Sequence, residues 1–238
     1  MPNEFYQPGG QRAQKVNDLF AAIAHRYDLI NDVQSLGLHR RWKRRVADLA
    51  GVRPGDRALD VCCGTGDLAF ALAAHGAEVT GLDFNGQMLE VAEGKSRVRS
   101  PESRVKFQRG DAMQLPFADK SFDIVTVGYG LRNLAGWEKG VEEMHRVAKP
   151  GARLLVLEFG KPPNAAWRAV YFAYLRVAVP LMGLVFCRNA AAYAYILESL
   201  RHYPAQEGVA AKMRALGLHD VRVVNLLGGA MSINAGRR

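Results

Sequence analysis

Residues Leu59-Asp-Val-Cys-Cys-Gly-Thr-Gly-Asp67 join the end of an apolar strand to the start of a helix through a glycine turn. The preceding Arg57 to Val61 is predicted to be a short buried strand, and Asp67 to Ala74 a helix. Gly64 and Gly66 permit a tight turn and a close approach of the backbone to a ligand, and the free N–H groups at a helix start attract negative charge. The stretch therefore predicts a strand–turn–helix unit with a binding site at its turn.

The same alternation of strands and helices continues outward from this unit. Strands separated by helices of ten or more residues favour a parallel sheet covered on both faces, so we expect an α/β fold with a doubly wound, mostly parallel seven-stranded sheet. The further strands are predicted at Ala77 to Leu82, Val105 to Gln108, Phe122 to Val127, Arg153 to Glu158, His219 to Asn225 and Met231 to Asn234. Helices are predicted at about Asn85 to Val98, Trp137 to Ala148 and Glu207 to Leu216.

The predicted organisation is one domain with two additions to its core. Residues 1–50 are expected to form an N-terminal helical cap, with helices at Gln11 to Tyr27 and Leu38 to Leu49 and a polar link at Tyr27 to Asp32. Residues 51–160 and 205–238 are expected to form the ligand-binding core. Residues 161–204 interrupt the alternation with an aromatic, apolar segment, which we interpret as a helical insert that covers a lipophilic pocket.

The apolar run inside this insert, Trp167 to Phe186, carries Arg168, Arg176 and Pro180. Because an arginine near the centre of a membrane helix costs about 2.5–3.5 kcal/mol on insertion scales, a membrane span is not expected. Contact with a membrane surface stays open, and so does a role as an oligomer interface, which uses the same residue types.

Composition and charge restrict the class of partner. The 238-residue chain has 32 Lys and Arg against 23 Asp and Glu, a net charge of +9, which favours partners that carry phosphate. No nucleic-acid-binding module is recognisable, so nucleic acid is not expected as a partner. Three cysteines cannot build a disulfide framework, and no secretory leader is visible, so the protein is predicted to be cytoplasmic.

Three carboxylates follow successive predicted strands, and ligands of open α/β sheets bind beyond those strand ends. Asp83 can accept hydrogen bonds from the hydroxyls of a ribose, and Asp111 can accept from an adenine amino group. Gly64 to Ala69 also matches the dinucleotide fingerprint G-x-G-x-x-[GA], which keeps an NAD(P)-dependent oxidoreductase as an alternative. Asp60, however, would repel a pyrophosphate and suits a cationic ligand. Acids, a ribose and a positive charge together point to S-adenosylmethionine.

The chain resembles the ubiquinone/menaquinone biosynthesis C-methyltransferase family of class I S-adenosylmethionine-dependent enzymes over about residues 15–238. One departure from the general pattern D-x-G-x-G-x-G is Cys62, which stands where the first glycine is usual. The resemblance lies in Tyr27, Asp28, Asn31, Ser35, His39 and Trp42, in Leu59 to Asp67, in Gly130-Leu-Arg-Asn133, in Arg146 to Gly151 with Leu157-Glu158, and in Tyr193, Glu198, Ser199 and Pro204.

The resemblance implies a Rossmann-like methyltransferase fold and a set of cofactor-binding residues. It implies that Thr65 and Asp83 contact the cofactor, that Asp111 and Ala112 flank the adenine, and that Gly128 lines the site. The loop itself would consist of Asp60, Gly64 and Gly66.

The implied reaction moves a methyl group to a ring carbon of a reduced prenylated quinone, with demethylmenaquinol as the expected substrate. The alternatives are 2-methoxy-6-polyprenyl-1,4-benzoquinol of the ubiquinone pathway and, in a different class, a non-catalytic nucleoside-binding module. Arg132 is expected to stabilise the developing phenolate and Asn133 to orient a hydroxyl. Asp111, His145, His202 and Tyr193 are candidates for the base, and no cluster with metal-ligand spacing is present in the sequence.

The segment from His39 to Arg45 combines His39 and Trp42 with four arginines and a lysine. Two interpretations stay open for this basic stretch. It approaches anionic lipid near a membrane-resident substrate, or it is a solvated helix face.

Overall fold

Seven strands form one sheet in the computed structural model, which describes residues 11–99, 105–187 and 190–238. The strand order is β3-β2-β1-β4-β5-β7-β6, and only the pairings of β7 with β5 and with β6 are antiparallel. The predicted doubly wound α/β fold is confirmed. The strands are Arg57–Val61 (β1), Glu78–Asp83 (β2), Val105–Arg109 (β3), Phe122–Gly128 (β4), Ala148–Phe159 (β5), His219–Leu226 (β6) and Met231–Arg237 (β7).

Helices cover both faces of the sheet, because its central strands are apolar on both sides and have to be buried on both. The α-helices of the described residues are Gln11–Ile23 (α1), Tyr27–Ser35 (α2), Leu38–Ala50 (α3), Asp67–Ala74 (α4), Gly86–Arg99 (α5), Trp137–Val147 (α6), Ala165–Cys187 (α7), Ala190–His202 (α8) and Ala205–Ala215 (α9).

Two groups of buried apolar side chains form the core, one on each face of the sheet. One group joins Val125 and Val127 of β4 to α6, α9, α7 and α8, and it also takes in residues of α1 and α2. The other joins Ile124 of β4 to α3 and α4. Helices α1 and α2 and the insert therefore pack on the same face of the sheet, whereas α3 packs with α4 on the other.

The predicted polar link at Tyr27 to Asp32 is wrong, because these residues form most of helix α2. The helix expected to run to Tyr27 ends at Ile23, and a 3-10 turn at Ala24–Arg26 leads into α2. Asp32 of α2 pairs with the nearby His39 and Arg40, whereas Asp28 obtains its partners from distant residues, which cannot be seen in the local sequence. The carboxylate of Asp28, for example, accepts a hydrogen bond of 2.6 Å from the hydroxyl of Thr65.

The insert consists of α7 and α8, which pack against each other and bury Tyr171, Leu175 and Val179 on the inner side of α7. Pro180 lies within α7. Among the helices of the described residues, none is both long and apolar enough to cross a membrane.

Candidate active site

A cavity of about 190 Å³ lies at the carboxyl ends of the central strands; we call it the strand-end cavity. Helices α1 and α2 close it on the opposite side, through Asn17, Phe20 and Tyr27. Of the predicted site residues, those that line it are Gly64, Asp83, Asp111, Ala112, Gly128 and Asn133.

The glycine turn after β1 has the backbone that its sequence predicts. Gly66 precedes α4 with φ of +82°, and a Cβ there would lie 2.8 Å from the ring of Phe107, so both conformation and space require glycine. Gly66 lines neither the strand-end cavity nor the cavities next to it, and it shapes the turn that carries Gly64. Cys62 adopts φ of +54°, the left-handed region that a side chain disfavours, which explains why glycine is usual at this position.

Asp83 connects the end of β2 to the glycine turn. Its Oδ2 accepts the backbone N–H of Gly64 at 2.8 Å, and its Oδ1 accepts the backbone N–H of Asn85, also at 2.8 Å. Burial raises the pKa of this carboxyl above its usual value, while these backbone donors oppose the shift. Each carboxylate oxygen has a second lone pair, so the group can still accept hydrogen bonds from two ligand hydroxyls.

Asp111 follows β3 and closes a short turn. Its Oδ1 accepts the backbone N–H of Met113 at 2.8 Å, which directs the carboxylate along the wall of the strand-end cavity. The neighbouring Ala112 is buried. Asp83 and Asp111 thus present two acidic side chains to one cavity.

Asp60 lies on β1 beside a smaller adjoining cavity, which Lys43 and Thr65 also line. Its register partner on β4, Thr126, donates its hydroxyl to Oδ1 at 2.8 Å, whereas Oδ2 is buried without a hydrogen bond of normal geometry. Burial raises the pKa of Asp60 to about 7. A buried acceptor of this kind suits a cationic ligand group, since ion pairing would offset the cost of burying the charge.

Thr65 was predicted to contact the cofactor, but its hydroxyl donates to Asp28 of α2. Lys95 of α5 contacts the carboxylates of Asp28 at 2.5 Å and Asp67 at 2.9 Å, and Lys43 of α3 contacts Asp67 at 3.0 Å. This network fastens the N-terminal helices to the glycine turn. The position of α2 over the strand-end cavity is thereby tied to the geometry of the turn.

A second, larger cavity of about 550 Å³ adjoins the first; we call it the apolar cavity. The N-terminal helices α1 to α3 form one wall and the insert helices α7 and α8 the other, with aromatic side chains on both sides. Its volume falls within the range of roughly 300–1,000 Å³ that is typical of small-molecule sites. The aromatic residues that line it are Phe20, Tyr27, Trp42, Tyr129, Phe159, Trp167, Tyr171, Tyr174 and Tyr195.

Phe20, Tyr27 and Tyr129 line both cavities and so form the boundary between them. Burial raises the pKa of Tyr27 to about 12 and that of Tyr129 well above its usual value, so both hydroxyls stay protonated. A reacting group bound in one cavity would meet a ligand of the other across this boundary.

Arg132 lines the apolar cavity from a 3-10 turn after β4. Its Nη1 contacts Oε1 of Glu158 on β5 at 2.9 Å, both side chains are buried, and its guanidinium lies 4.6 Å from the ring centroid of Phe159. Asn133 lines the strand-end cavity instead, where its amide donates to the backbone carbonyl of Tyr129 and its Oδ1 is buried without a partner. The two residues predicted to be catalytic therefore face different cavities.

The candidate bases are widely separated. Asp111 lines the strand-end cavity, whereas neither His145 nor His202 lines either cavity. The side chain of Tyr193 lies outside the described part of the structure. Within the described ranges, no group of three His, Cys, Asp or Glu side chains could hold a metal ion.

The basic stretch of α3 has two sides. His39 is buried, with Nε2 at 2.8 Å from Asp32, and it lines the apolar cavity together with Trp42. Arg41 and Arg45 are exposed. One side of the helix thus belongs to the apolar cavity and the other to the surface.

Sequence reasoning predicted Gly128, Arg132 and Asn133 at the end of β4 and after it, but it missed the part of the site that comes from α2 and the role of Tyr129. Tyr27 and Tyr129 form the boundary between the cavities, and Asn85 holds α1 by donating its amide to the backbone carbonyl of Asn17 at 2.8 Å. Tyr27 begins the segment that carries the family resemblance, and this was the available signal. Tyr129 lies between the predicted site residues Gly128 and Asn133, so its sequence position was the signal, although its place between two cavities was not predictable.

The charges of the side chains around the strand-end cavity indicate which adenosine-containing ligand it fits. Among the described residues around it there are two carboxylates and no Lys or Arg. A dinucleotide would bring a doubly charged pyrophosphate close to these carboxylates, and Lys43, which lines the adjoining smaller cavity, is already paired with Asp67. An adenosyl group attached to a sulfonium and an ammonium fits these acceptors, including the buried Oδ2 of Asp60.

The sheet, its flanking helices and the position of the strand-end cavity are those of the Rossmann-like methyltransferase fold. A solved S-adenosylmethionine-dependent methyltransferase from Thermotoga maritima superposes with a TM-score of 0.67 at 17% identity, covering 93% of this chain and 99% of that one. At that identity the likeness shows the fold alone.

The family follows from sequence similarity over almost the whole chain. The model of the ubiE/COQ5 methyltransferase family matches residues 9–238, and the chain belongs to this family. It is 43% identical to the ubiquinone/menaquinone biosynthesis C-methyltransferase UbiE of Azotobacter vinelandii, covering 96% of this chain and 92% of the relative. It is 40% identical to the demethylmenaquinone methyltransferase of Desulfitobacterium hafniense, covering 97% and 92%.

Proposed function

We propose that this protein is an S-adenosylmethionine-dependent C-methyltransferase of quinone biosynthesis that converts demethylmenaquinol to menaquinol. The observation that carries the proposal is the pair of adjoining cavities, one acidic and one apolar, with Phe20, Tyr27 and Tyr129 as their common boundary. The family relationship supports the same reaction, since the relatives named above are a quinone C-methyltransferase and a demethylmenaquinone methyltransferase.

The strand-end cavity holds the cofactor in this proposal, and its residues position it. Asp83 accepts the ribose hydroxyls, Asp111 and Ala112 flank the adenine, and Asp60 faces the cationic end. Gly64 and Gly128 allow the close approach of the ligand to the backbone. When bound, the cofactor supplies an activated methyl group on a sulfonium.

The apolar cavity holds the quinol ring and the first part of its prenyl chain, with α7 and α8 as its lid. The ring hydroxyl resembles a phenol, whose pKa is roughly 10, so the reaction needs a group that stabilises the phenolate. Arg132 is fully charged at all relevant pH values, and Glu158 holds its guanidinium in place. Its positive charge in a buried site stabilises the phenolate oxygen and so favours loss of the hydroxyl proton, and this ionisation makes the adjacent ring carbon electron-rich.

The boundary aromatics exclude water from the path of the methyl group. The protonated hydroxyls of Tyr27 and Tyr129 do not act as bases; they enclose the line between the two ligands, which favours an aligned displacement. Asn133 lies next to this line and orients a polar group of the cofactor or the substrate through its free Oδ1.

The direct test is product analysis by mass spectrometry. The purified protein is given S-adenosylmethionine with reduced demethylmenaquinol or with 2-methoxy-6-polyprenyl-1,4-benzoquinol. We expect a methylated naphthoquinol as the faster product. Faster methylation of the benzoquinol would assign the protein to the ubiquinone pathway, and methylation of neither would refute the proposed function.

The role of Arg132 is tested with Arg132→Lys, which keeps the positive charge beside Glu158 but loses the planar guanidinium. We expect kcat to fall by more than about tenfold, since lysine does not reproduce the hydrogen-bond fork of arginine. Affinity for S-adenosylhomocysteine, measured by calorimetry, should stay unchanged. Arg146→Lys is the matched control, because Arg146 also pairs with a glutamate but lines neither cavity. Unchanged kcat in Arg132→Lys would remove Arg132 from the mechanism.

Since a prenylated quinol resides in lipid bilayers, we place the protein in the cytoplasm, at the inner face of the membrane. The net charge of +9 suits the anionic lipids of that face.

A further inference from the structure

Helix α7 carries a stripe of exposed apolar side chains on its outer side. Large hydrophobic side chains there recur every three or four residues, which places them along one face of the helix. The stripe consists of Trp167, Val170, Tyr174, Val177 and Leu181. Val177 is 65% exposed and Leu181 59%, and neither contributes to the apolar cavity.

Two further exposed leucines extend this stripe into a continuous surface around the apolar cavity. Leu36, in the turn between α2 and α3, is 88% exposed, and Leu227 follows β6. Tyr174 donates its hydroxyl to the carbonyl of Gln34 at 3.0 Å, and the indole of Trp167 donates to the carbonyl of Leu227 at 2.9 Å. These bonds hold the leucine-bearing turns beside α7. We call this surface the apolar rim.

The apolar rim is continuous with the lining of the apolar cavity. Leu36, Leu227 and three residues of the stripe, Trp167, Val170 and Tyr174, belong to both. An apolar path therefore leads from the protein surface to the boundary with the strand-end cavity. Exposed apolar residues that are scattered singly are normal on protein surfaces. A contiguous exposed apolar surface of this kind marks an interaction site.

Positive charge lies next to the rim. Arg41 and Arg45 are exposed on α3, three residues after Leu38 and Trp42, which line the apolar cavity. Residues three apart are neighbours on a helix surface, so the arginines stand beside the cavity wall. Apolar and aromatic side chains bordered by arginines are typical of surfaces that insert into the interface of an anionic bilayer.

We propose that the apolar rim docks on an anionic phospholipid bilayer and that the prenyl chain of the substrate passes through it from the bilayer into the apolar cavity. The proposal rests on the proposed function, because that function puts a lipid in the cavity. Val177 and Leu181 insert among the acyl chains, and Arg41 and Arg45 contact lipid phosphates. In the docked enzyme the quinol ring and the first part of the prenyl chain lie in the apolar cavity, while the rest of the chain stays in the membrane.

The test uses the full chain and the double variant Val177→Asp/Leu181→Asp. Binding to vesicles of phosphatidylcholine with phosphatidylglycerol is measured by sedimentation, and vesicles of phosphatidylcholine alone report the charge dependence. We expect the wild type to prefer the anionic vesicles and the double variant to bind them at least about tenfold more weakly. Val98→Asp is the matched control, since Val98 is 87% exposed on α5, away from the rim, and its binding should equal that of the wild type.

Two turnover assays separate this proposal from the proposed function. With a water-soluble, short-chain demethylmenaquinol the double variant should match the wild type, and this also shows that it is folded. With a long-chain quinol in anionic vesicles its turnover should fall by at least about tenfold. If the wild type turns over the short-chain quinol but does not bind vesicles, the docking proposal is wrong and the proposed function stands. If the wild type is a dimer and the double variant is a monomer, the rim is an interface between two copies of the chain and the docking proposal is wrong. If the wild type turns over neither quinol, the proposed function is refuted.

Discussion

At the scale of single residues, Asp83 has two tasks that one carboxylate can perform together. Its oxygens accept the backbone N–H groups of Gly64 and Asn85, and their remaining lone pairs face the strand-end cavity. The side chain therefore shapes the glycine turn and offers acceptors to a ribose with the same two atoms.

Asp83→Asn should weaken the binding of S-adenosylhomocysteine by more than about tenfold, because an amide retains one acceptor and loses the charge that strengthens the hydrogen bonds. Isothermal titration calorimetry measures the affinity. Asp119→Asn, which changes an exposed carboxylate, is the control. An affinity equal to that of the wild type would exclude Asp83 from the ribose site.

Asp60 makes both stability and binding depend on pH. Its pKa is raised by burial to about 7, against about 3.9 in an unfolded chain, so between these values the folded state holds a proton that the unfolded state lacks. The free energy of unfolding of the ligand-free protein should therefore decrease as pH rises through this window. A cationic ligand favours the ionised carboxylate, so the affinity for S-adenosylmethionine should increase as pH rises through about 7.

The measurement is a series of calorimetric titrations from about pH 6 to pH 8 on the wild type and on Asp60→Asn. The asparagine cannot ionise, so the variant should lose the part of the pH dependence that the wild type owes to Asp60. Identical pH profiles for the two proteins would show that Asp60 does not pair with the cofactor.

At the scale of elements, the apolar cavity lies between two segments that are far apart along the chain. Helices α1 to α3 and helices α7 and α8 are separated by the first five strands, and each contributes one wall. Tyr171, Leu175 and Val179 of α7 are buried, so deleting the insert would uncover a large part of the core. Filling the cavity is therefore a cleaner experiment than removing its wall.

Val170→Trp should raise the KM for a prenylated quinol several-fold, because a larger ring in the wall occupies part of the substrate volume. Affinity for S-adenosylhomocysteine should not change, since Val170 does not line the strand-end cavity. Ala173→Trp is the control, because Ala173 is exposed on the same helix and lines neither cavity. An unchanged KM in Val170→Trp would place the substrate elsewhere.

At the scale of the whole molecule, ligand binding should stabilise the fold, because the ligand binds the folded chain and not the unfolded one. Saturation at 100 times the dissociation constant adds about 2.7 kcal/mol to the free energy of unfolding, and in a chain of this size each kcal/mol raises Tm by about 2–4 °C. S-adenosylhomocysteine should therefore raise Tm by about 5–11 °C. NADH should leave Tm unchanged, and the reverse result would favour the oxidoreductase.

The amino-acid sequence by itself determined the layered α/β fold and the acidic strand ends. Both follow from local properties: apolar strands alternating with helical periodicity predict a parallel sheet, and the topology of such a sheet brings Asp60, Asp83 and Asp111 to one edge. The family resemblance added the substrate class. Local polarity misled at α2, where Thr65 and Lys95, the partners of Asp28, lie far along the chain.

Only the tertiary structure decided which side chains face which cavity. Arg132 and Asn133 are adjacent in sequence, yet one contacts Glu158 beside the apolar cavity and the other lines the strand-end cavity. The boundary at Phe20, Tyr27 and Tyr129 joins three segments that no local pattern connects. Such contacts arise from packing between distant elements, since the burial and orientation of a side chain depend on what the folded chain places against it.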